Sequence, residues 1–229
     1  MSDTRRDVRG HAAYHQDMLA RVLILLVVAG VAVPAASARD PRLERLRLNS
    51  TDTALAHRIA VRATDLGAGW RAATATPEQV VPSCPGYRPD FSQFTLTGRA
   101  LTSFGNQAKQ WTIAANVEVY ASRSDARGEW RLSVSSAAVR CFAELIRQIA
   151  GVSGISVASA RIMPAPRLAD ASAGFEIVLD AAQQSGTTKL YVDGIFVRQG
   201  RAIVALYATA ANSPVPGLTR LARRVAARM

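Results

Sequence analysis

Residues 111–149 read WTIAANVEVYASRSDARGEWRLSVSSAAVRCFAELIRQI, and this stretch decides the fold. Along Trp111–Ala121 an apolar side chain occupies every second position, while Thr112, Asn116 and Glu118 fall between them. Alternation with β-branched residues is typical of a strand that buries one face. We therefore predict a strand over Trp111–Ala121.

The pattern after this strand changes to that of a helix. Ser122 and Ser124 can each cap a helix, and Ser122-x-x-Asp125 approximates a capping box. Apolar residues then recur at spacings of three or four, at Ala126, Trp130, Val134, Ala137, Cys141 and Leu145. Because these spacings place the residues on one face of a helix, we predict one long helix after the strand.

Further periodic segments flank this unit. Helices are predicted over Thr53–Leu66 and from Leu218 to the C-terminus. Strands are predicted over Phe91–Phe104, Ile155–Met163, Ala173–Leu179, Lys189–Val197 and Ala202–Thr209. Since short turns join consecutive strands, we predict an α+β fold with one core. It would hold an antiparallel sheet of about six strands covered by three helices, in the order αββαββββα.

The N-terminus has the parts of an export signal. Val22–Val33 is aliphatic, Arg21 precedes it, Pro34 ends it and Ala36-Ser37-Ala38 fits a cleavage site. We predict a signal peptide over residues 1–38, with Met18 as an alternative start. Residues 39–52 would then be an exposed tether and residues 53–229 a single domain. The alternative is an uncleaved single-pass membrane anchor at residues 19–38, because the apolar run is close to the length that spans a bilayer.

The chain is strongly basic, with a net charge of +11, and Lys109 and Lys189 are its only lysines. Richness in arginine also arises from a high-GC genome. Since export argues against nucleic acid as a partner, an anionic membrane or wall surface is the expected target of a basic face.

The final helix has one apolar and one basic face. Leu218, Leu221, Ala222 and Val225 form a stripe that we expect against the sheet. The opposite face carries Arg220, Arg223, Arg224 and Arg228. These arginines either complement the helix dipole or contact an anionic surface.

No motif in the sequence predicts an enzyme. His57 is the one histidine after the predicted cleavage site, so histidine-dependent triads and zinc sites are not expected. Glu176 and Asp180 share a strand face, but four extended residues separate them by about 13 Å. We nominate no catalytic, metal-binding or cofactor-binding residue and expect no cofactor.

The two cysteines predict a disulfide. Cys84 lies in a proline-rich loop and Cys141 lies on the inward stripe of the central helix. Exported chains with an even number of cysteines usually pair them. A Cys84–Cys141 bond is therefore expected, with two free thiols as the alternative.

Several short stretches carry a resemblance to a known family. They are Asp65–Trp70, Phe94–Gly98, Val117–Tyr120 continuing into Asp125–Trp130, and Cys141. Over residues 53–229 the chain resembles the PknH-like extracellular sensor domains of actinobacteria. The resemblance implies an antiparallel sheet between helices, related to PsbP-like folds, with a groove for an extracellular ligand. The printed chain carries no kinase domain and one cysteine pair instead of two, so no ligand residue is transferred.

These observations lead to one functional hypothesis and two alternatives. We expect an exported, non-enzymatic binding or sensor-like domain for an unknown small ligand or cell-envelope component. One alternative is a secreted hydrolase that works without histidine. The other is an envelope-adhesion protein that binds through its basic helix.

Overall fold

The computed structural model describes residues 39–75, 81–151, 155–183 and 186–229. The predicted signal peptide, residues 1–38, and the alternative anchor, residues 19–38, lie outside the described residues. Among the residues that are described, no helix combines the length and the apolar character needed to cross a bilayer.

An eight-stranded mixed sheet forms the centre of the protein. Its strands are β1 (Arg45–Leu46), β2 (Arg71–Ala73), β3 (Thr95–Asn106), β4 (Trp111–Tyr120), β5 (Ile155–Met163), β6 (Ala171–Gln183), β7 (Gly186–Gln199) and β8 (Ala202–Ala211). The strands lie in the order β1-β3-β4-β8-β7-β6-β5, and β2 also pairs with β3. β1 runs parallel to β3, whereas all other pairs are antiparallel. The central pairing joins β4 to β8 from Trp111–Ala210 to Val119–Ala202.

The prediction of an antiparallel sheet of about six strands under three helices is wrong. Two short strands, β1 and β2, add to β3, and the parallel β1 makes the sheet mixed. β1 falls within residues 39–52, so part of the predicted tether belongs to the sheet. Its backbone is held by the hydrogen bonds Arg45 N to Phe94 O and Arg47 N to Leu96 O, both 2.9 Å long. Strands of two or three residues are too short to show an alternating pattern, which is why the sequence did not reveal them.

The described residues contain five α-helices, because two of the predicted helices are broken. The helices are α1 (Ser50–Ile59), α2 (Ala63–Leu66), α3 (Arg123–Ser133), α4 (Ser136–Gly151) and α5 (Leu218–Ala226). The long helix predicted after β4 divides at Val134, and the hydroxyl of Ser135 accepts a hydrogen bond of 3.1 Å from the Ala138 amide. A serine in this position is a helix-capping residue, so a new helix begins there.

Helices cover both faces of the sheet. We call the side under α1 and α5 the packed face, where one continuous apolar cluster contains Ile59, Ile113, Val117, Val204, Leu206 and Leu221. The predicted inward stripe of α5 is confirmed, since Leu218, Leu221, Ala222 and Val225 are all buried in this cluster.

We call the side under α3 and α4 the cavity face. Its apolar residues form two separate clusters. One lies under α4 around Phe175, Ile177 and Leu190, and the other lies under α3 around Phe94, Leu96 and Tyr120. The candidate site lies between these two clusters.

Candidate functional site

A cavity of about 190 Å³ lies on the cavity face, and its walls include members of both apolar clusters. Side chains of β3, β4, β6, β7 and β8 form its floor. Its cover is made by α3, α4 and residues 81–91. Aromatic rings gather in the half of the wall near β6 and β7, polar side chains gather in the half formed by β3 and β4, and aliphatic residues complete both halves.

The aromatic half is formed by Phe142 of α4, Phe175 of β6, Phe196 of β7 and Tyr207 of β8. The ring centroids of Phe142 and Phe175 are 5.8 Å apart, and those of Phe196 and Tyr207 are also 5.8 Å apart. Both pairs meet nearly edge to face, which is a favourable arrangement for aromatic rings. Gly194 on β7 leaves room for the Phe175 ring, because a Cβ atom there would collide with it.

The polar half is centred on Glu118, a residue of β4 that is 7% exposed. Its Oε1 atom accepts hydrogen bonds from Arg99 Nη2 at 2.6 Å and from Asn116 Nδ2 at 3.0 Å. Its Oε2 atom accepts from the Tyr120 hydroxyl at 2.8 Å. Both oxygens of Glu118 are therefore engaged within the protein.

Two further carboxyl groups line the cavity. Glu44, which precedes β1, places its Oε2 atom 3.8 Å from Arg99 Nη2. Glu129 of α3 accepts a hydrogen bond at Oε1 from the Ser133 hydroxyl. Both glutamates are 6% exposed. The cavity wall thus holds three carboxyl groups, from Glu44, Glu118 and Glu129, against the guanidinium of Arg99.

This crowding changes the protonation of the glutamates. Burial, with a smaller contribution from the charge of Glu118, raises the pKa of Glu129 to about 8. Burial and the same neighbouring charge also raise the pKa of Glu44. Desolvation and like charges both disfavour an ionised carboxyl group. Glu129 therefore keeps its proton at neutral pH.

Four polar atoms of this cluster are buried without a hydrogen-bond partner. They are Glu44 Oε2, Arg99 Nε, Asn116 Oδ1 and Glu129 Oε2. All four residues line the same cavity. A buried polar atom without a partner costs about 1–3 kcal/mol, and folded proteins contain few of them. Four such atoms belong to residues that line one cavity, where a polar molecule could pair with them.

The predicted disulfide is confirmed and supports this site. Cys84 and Cys141 are bonded, with their Cα atoms 5.5 Å apart. The bond joins residues 81–91, which cover the cavity, to α4. Tyr87 in the same segment donates a hydrogen bond of 3.2 Å to the Leu132 carbonyl on α3. Residues 81–91 are therefore attached to both α3 and α4, the other two parts of the cover.

The four arginines nominated as an anionic-surface contact differ in exposure. Arg220, Arg223 and Arg224 are exposed on α5, on the opposite side of the sheet from the cavity. Arg228 is instead half-buried and forms hydrogen bonds of 3.0 Å with both carboxylate oxygens of Asp65. It also donates to the Ile59 and Ala60 carbonyls, at 3.1 Å and 3.0 Å. Arg228 therefore stabilises the end of α1.

The other residues considered in the sequence do not meet in a site. His57 is exposed on α1. Glu176 pairs with Arg161 at 2.7 Å, and Asp180 pairs with Lys189 at 3.0 Å. Within the described part of the chain, no group of three or more histidine, cysteine or acidic residues has a metal-binding arrangement.

The sequence reasoning missed the polar residues of the cavity, although two signals for them exist. Glu129 lies three residues after Ala126, so it belongs to the stripe that was predicted to face inward. Arg99 and Glu118 are directly opposite each other on β3 and β4. A carboxylate on an inward helical stripe, together with an oppositely charged cross-strand pair, would have indicated a buried polar cluster.

No known family matches the chain, and no curated protein matches it. Among solved structures, an uncharacterised protein of Mycobacterium smegmatis (Rv0999 ortholog) is 11% identical with a TM-score of 0.42, over 77% of this chain and 97% of that one. The Ran-binding protein Mog1p of Saccharomyces cerevisiae is 10% identical with a TM-score of 0.25, over 56% of this chain and 75% of that one. The chain thus has a weak likeness to an actinobacterial protein, and neither match is described as a PknH-like sensor domain.

Proposed function

We propose that this protein is an exported, non-enzymatic binding protein that takes a small molecule into the cavity between its sheet and helices α3 and α4. The observation that carries the proposal is the group of four buried polar atoms without partners around that cavity. A ligand that paired with them would remove their desolvation cost, and this gain would contribute directly to affinity.

The size of the cavity limits the ligand. Its volume is about 190 Å³, and an apolar protein cavity of about 150 Å³ binds benzene. A molecule with a single ring and a short polar group therefore matches the available space. The aromatic half of the wall would contact the ring, while the polar half would contact the polar group.

Two features support action outside the cytoplasm. The apolar segment Val22–Val33 with its cleavage site has the pattern of a signal peptide. The Cys84–Cys141 disulfide is consistent with an oxidising compartment. The chain also resembles PknH-like extracellular sensor domains. On the basis of this resemblance, we include a sensing role at the cell envelope in the proposal.

A secreted hydrolase is the second candidate, and the glutamates favour it. Glu129 keeps its proton at neutral pH because its pKa is raised to about 8, and it lies in one cluster with Glu118. Glycoside hydrolysis uses two carboxyl groups, of which one is protonated and acts as an acid while the other is ionised. However, both oxygens of Glu118 already accept hydrogen bonds, and the cavity has space for about one small ring. Binding without turnover therefore fits the geometry better.

A comparison of the natural protein with Ala205→Leu tests the proposal. Ala205 lines the cavity, so the larger side chain would fill part of it. A collection of compounds with up to about 12 non-hydrogen atoms would be screened by ligand-observed NMR and thermal shift. We expect compounds that bind the natural protein and lose binding to the variant. If no compound distinguishes the two proteins, the proposal is wrong, and turnover of a glycoside would favour the hydrolase.

A further inference from the structure

We infer that the ligand of this cavity is a small organic cation, in which an ammonium or amidinium group is attached to a compact apolar ring. The inference rests on the proposed function, because it names the chemical class of the molecule that the cavity binds.

The first argument is the balance of charge. Glu44, Glu118 and Glu129 face the same cavity as Arg99, which already donates a hydrogen bond of 2.6 Å to Glu118. Glu118 largely neutralises the guanidinium, so the excess negative charge comes from Glu44 and, once it gives up its proton, from Glu129. An anionic ligand would be repelled in this buried setting, whereas a cation would gain from each nearby carboxylate.

The second argument is the type of the unpartnered atoms. Three of them are oxygens, on Glu44, Asn116 and Glu129, and the remaining one is the Nε–H donor of Arg99. Once Glu129 gives up its proton to form the complex, all three oxygens are acceptors, and the cavity then mainly lacks hydrogen-bond donors. A primary ammonium group offers three N–H donors, and its bonds to carboxylates are charge-assisted and strong.

The third argument is the opposite wall. Phe142, Phe175, Phe196 and Tyr207 surround the apolar half of the cavity. Their rings can pack against an apolar body, and the faces of aromatic rings also attract cations. A cation attached to a ring satisfies both halves of the wall at once.

Binding of a cation would also be linked to protonation of Glu129. The charged and titratable groups near it are Glu44 before β1, Arg99 on β3, and Glu118 and Tyr120 on β4. Burial raises the pKa of Glu129 to about 8, and a bound cation would favour its ionised form. Binding at neutral pH should therefore release a proton, and affinity should increase as the pH rises.

Three probes that share one ring and differ in charge test the inference: benzylammonium, benzyl alcohol and benzoate. At pH 7 we expect benzylammonium to bind the natural protein about ten- to a hundredfold more tightly than benzyl alcohol, by calorimetry or NMR titration. Benzoate should bind more weakly than either. The inference is overturned if benzoate binds as well as benzylammonium, if all three bind alike, or if none binds. A compound of different chemistry found in the fragment screen would still leave the proposed function standing.

The proton linkage gives a second test that needs no variant. Calorimetry in two buffers with different ionisation enthalpies should show proton release when benzylammonium binds to the natural protein. Its affinity should rise up to about tenfold per pH unit between about pH 6 and pH 8. In Glu129→Gln this pH dependence should become clearly weaker, with Glu44 as the remaining carboxyl group of raised pKa, while Glu144→Gln on the same side of the sheet but outside the cavity wall should keep it in full. Proton uptake, or a profile unchanged in Glu129→Gln, would contradict the inference.

Discussion

The two faces of the sheet are made largely by the same strands but are packed differently. On β4, Ile113, Val117 and Val119 enter the single apolar cluster of the packed face. On the same strand, Asn116 and Glu118 point to the cavity face and belong to a polar group between two apolar clusters. The alternation of one strand thus supplies a continuous core on one side and a candidate binding site on the other.

This difference shows how a fold tolerates an unfavourable cluster. The packed face contains fully buried aliphatic residues, among them Val117, Val204 and Leu206, each 0% exposed. Burial of a side chain of this size stabilises a protein by about 1.5–3 kcal/mol. The cavity face carries unpartnered polar atoms and relies on the Cys84–Cys141 bond to hold its cover. The well-packed face can therefore offset the cost of the polar cluster on the opposite face.

Removal of the disulfide should have the largest effect and should act mainly on the cavity face. Replacement of Cys84 and Cys141 by Ser is expected to lower the free energy of unfolding by about 4 kcal/mol, because the unfolded chain regains its freedom. Hydrogen exchange should increase in residues 81–94 and in α4 more than in β4 and β8. The natural protein treated with reductant is the control. A uniform loss of protection on both faces would show that the faces are not independent in this way.

Neutralising Glu129 should have an effect that depends on pH. Its pKa is raised from 4.5 to about 8 in the folded protein, so between about pH 4.5 and pH 8 the folded protein holds a proton that the unfolded chain has lost. Stability should therefore decrease as the pH rises through this window. We expect Glu129→Gln to match the natural protein near pH 4 and to be more stable by roughly 2–4 kcal/mol at pH 9.

Urea denaturation across this pH range measures the effect. Glu144→Gln is the control, because Glu144 forms side-chain hydrogen bonds with Arg147 and Gln148 that lower its pKa to about 2. This control should gain no stability at pH 9. If the free energy of unfolding changes with pH in the same way for Glu129→Gln and the natural protein, Glu129 is not buried in a protonated state.

Two alanines of β8 give the smallest and most direct comparison. Ala208 is 1% exposed within the packed face, so Ala208→Leu should overpack it and cost about 1–3 kcal/mol. Ala205 faces the cavity, so Ala205→Leu should change the free energy of unfolding by less than about 1 kcal/mol. Chemical denaturation of both variants measures the difference. Equal losses would mean that the cavity face is packed as tightly as the other.

The sequence predicted the central strand well and its second face poorly. The predicted strand over Trp111–Ala121 is β4, and its apolar positions do face the packed side. The alternate positions were assigned no role, because the period of one strand cannot reveal whether a second layer covers its other face. Glu118 is buried because α3, α4 and residues 81–91 cover this face.

Other differences also have local physical causes. The central helix was predicted as continuous, since its apolar spacing does not reveal that Ser135 starts a new helix. The strand β1 has two residues, which is too short for any periodic signal. The candidate site combines Glu44, Arg99, Glu118, Glu129 and Tyr207, and their proximity follows from strand order, which the sequence alone does not give.

The pairing of β4 with β8 has a consequence for the order of folding. β3 pairs with β4 and β5 through β8 pair in sequence, so each group consists of contacts between neighbouring segments, whereas β4–β8 joins distant ones. Local contacts form early and distant ones late. Arg99 and Glu118 lie on one side of this junction and Ala205 and Tyr207 on the other, so the cavity exists only after the junction has closed. A bound ligand would therefore act chiefly by slowing unfolding, and it would prolong the lifetime of the folded protein more than it speeds refolding.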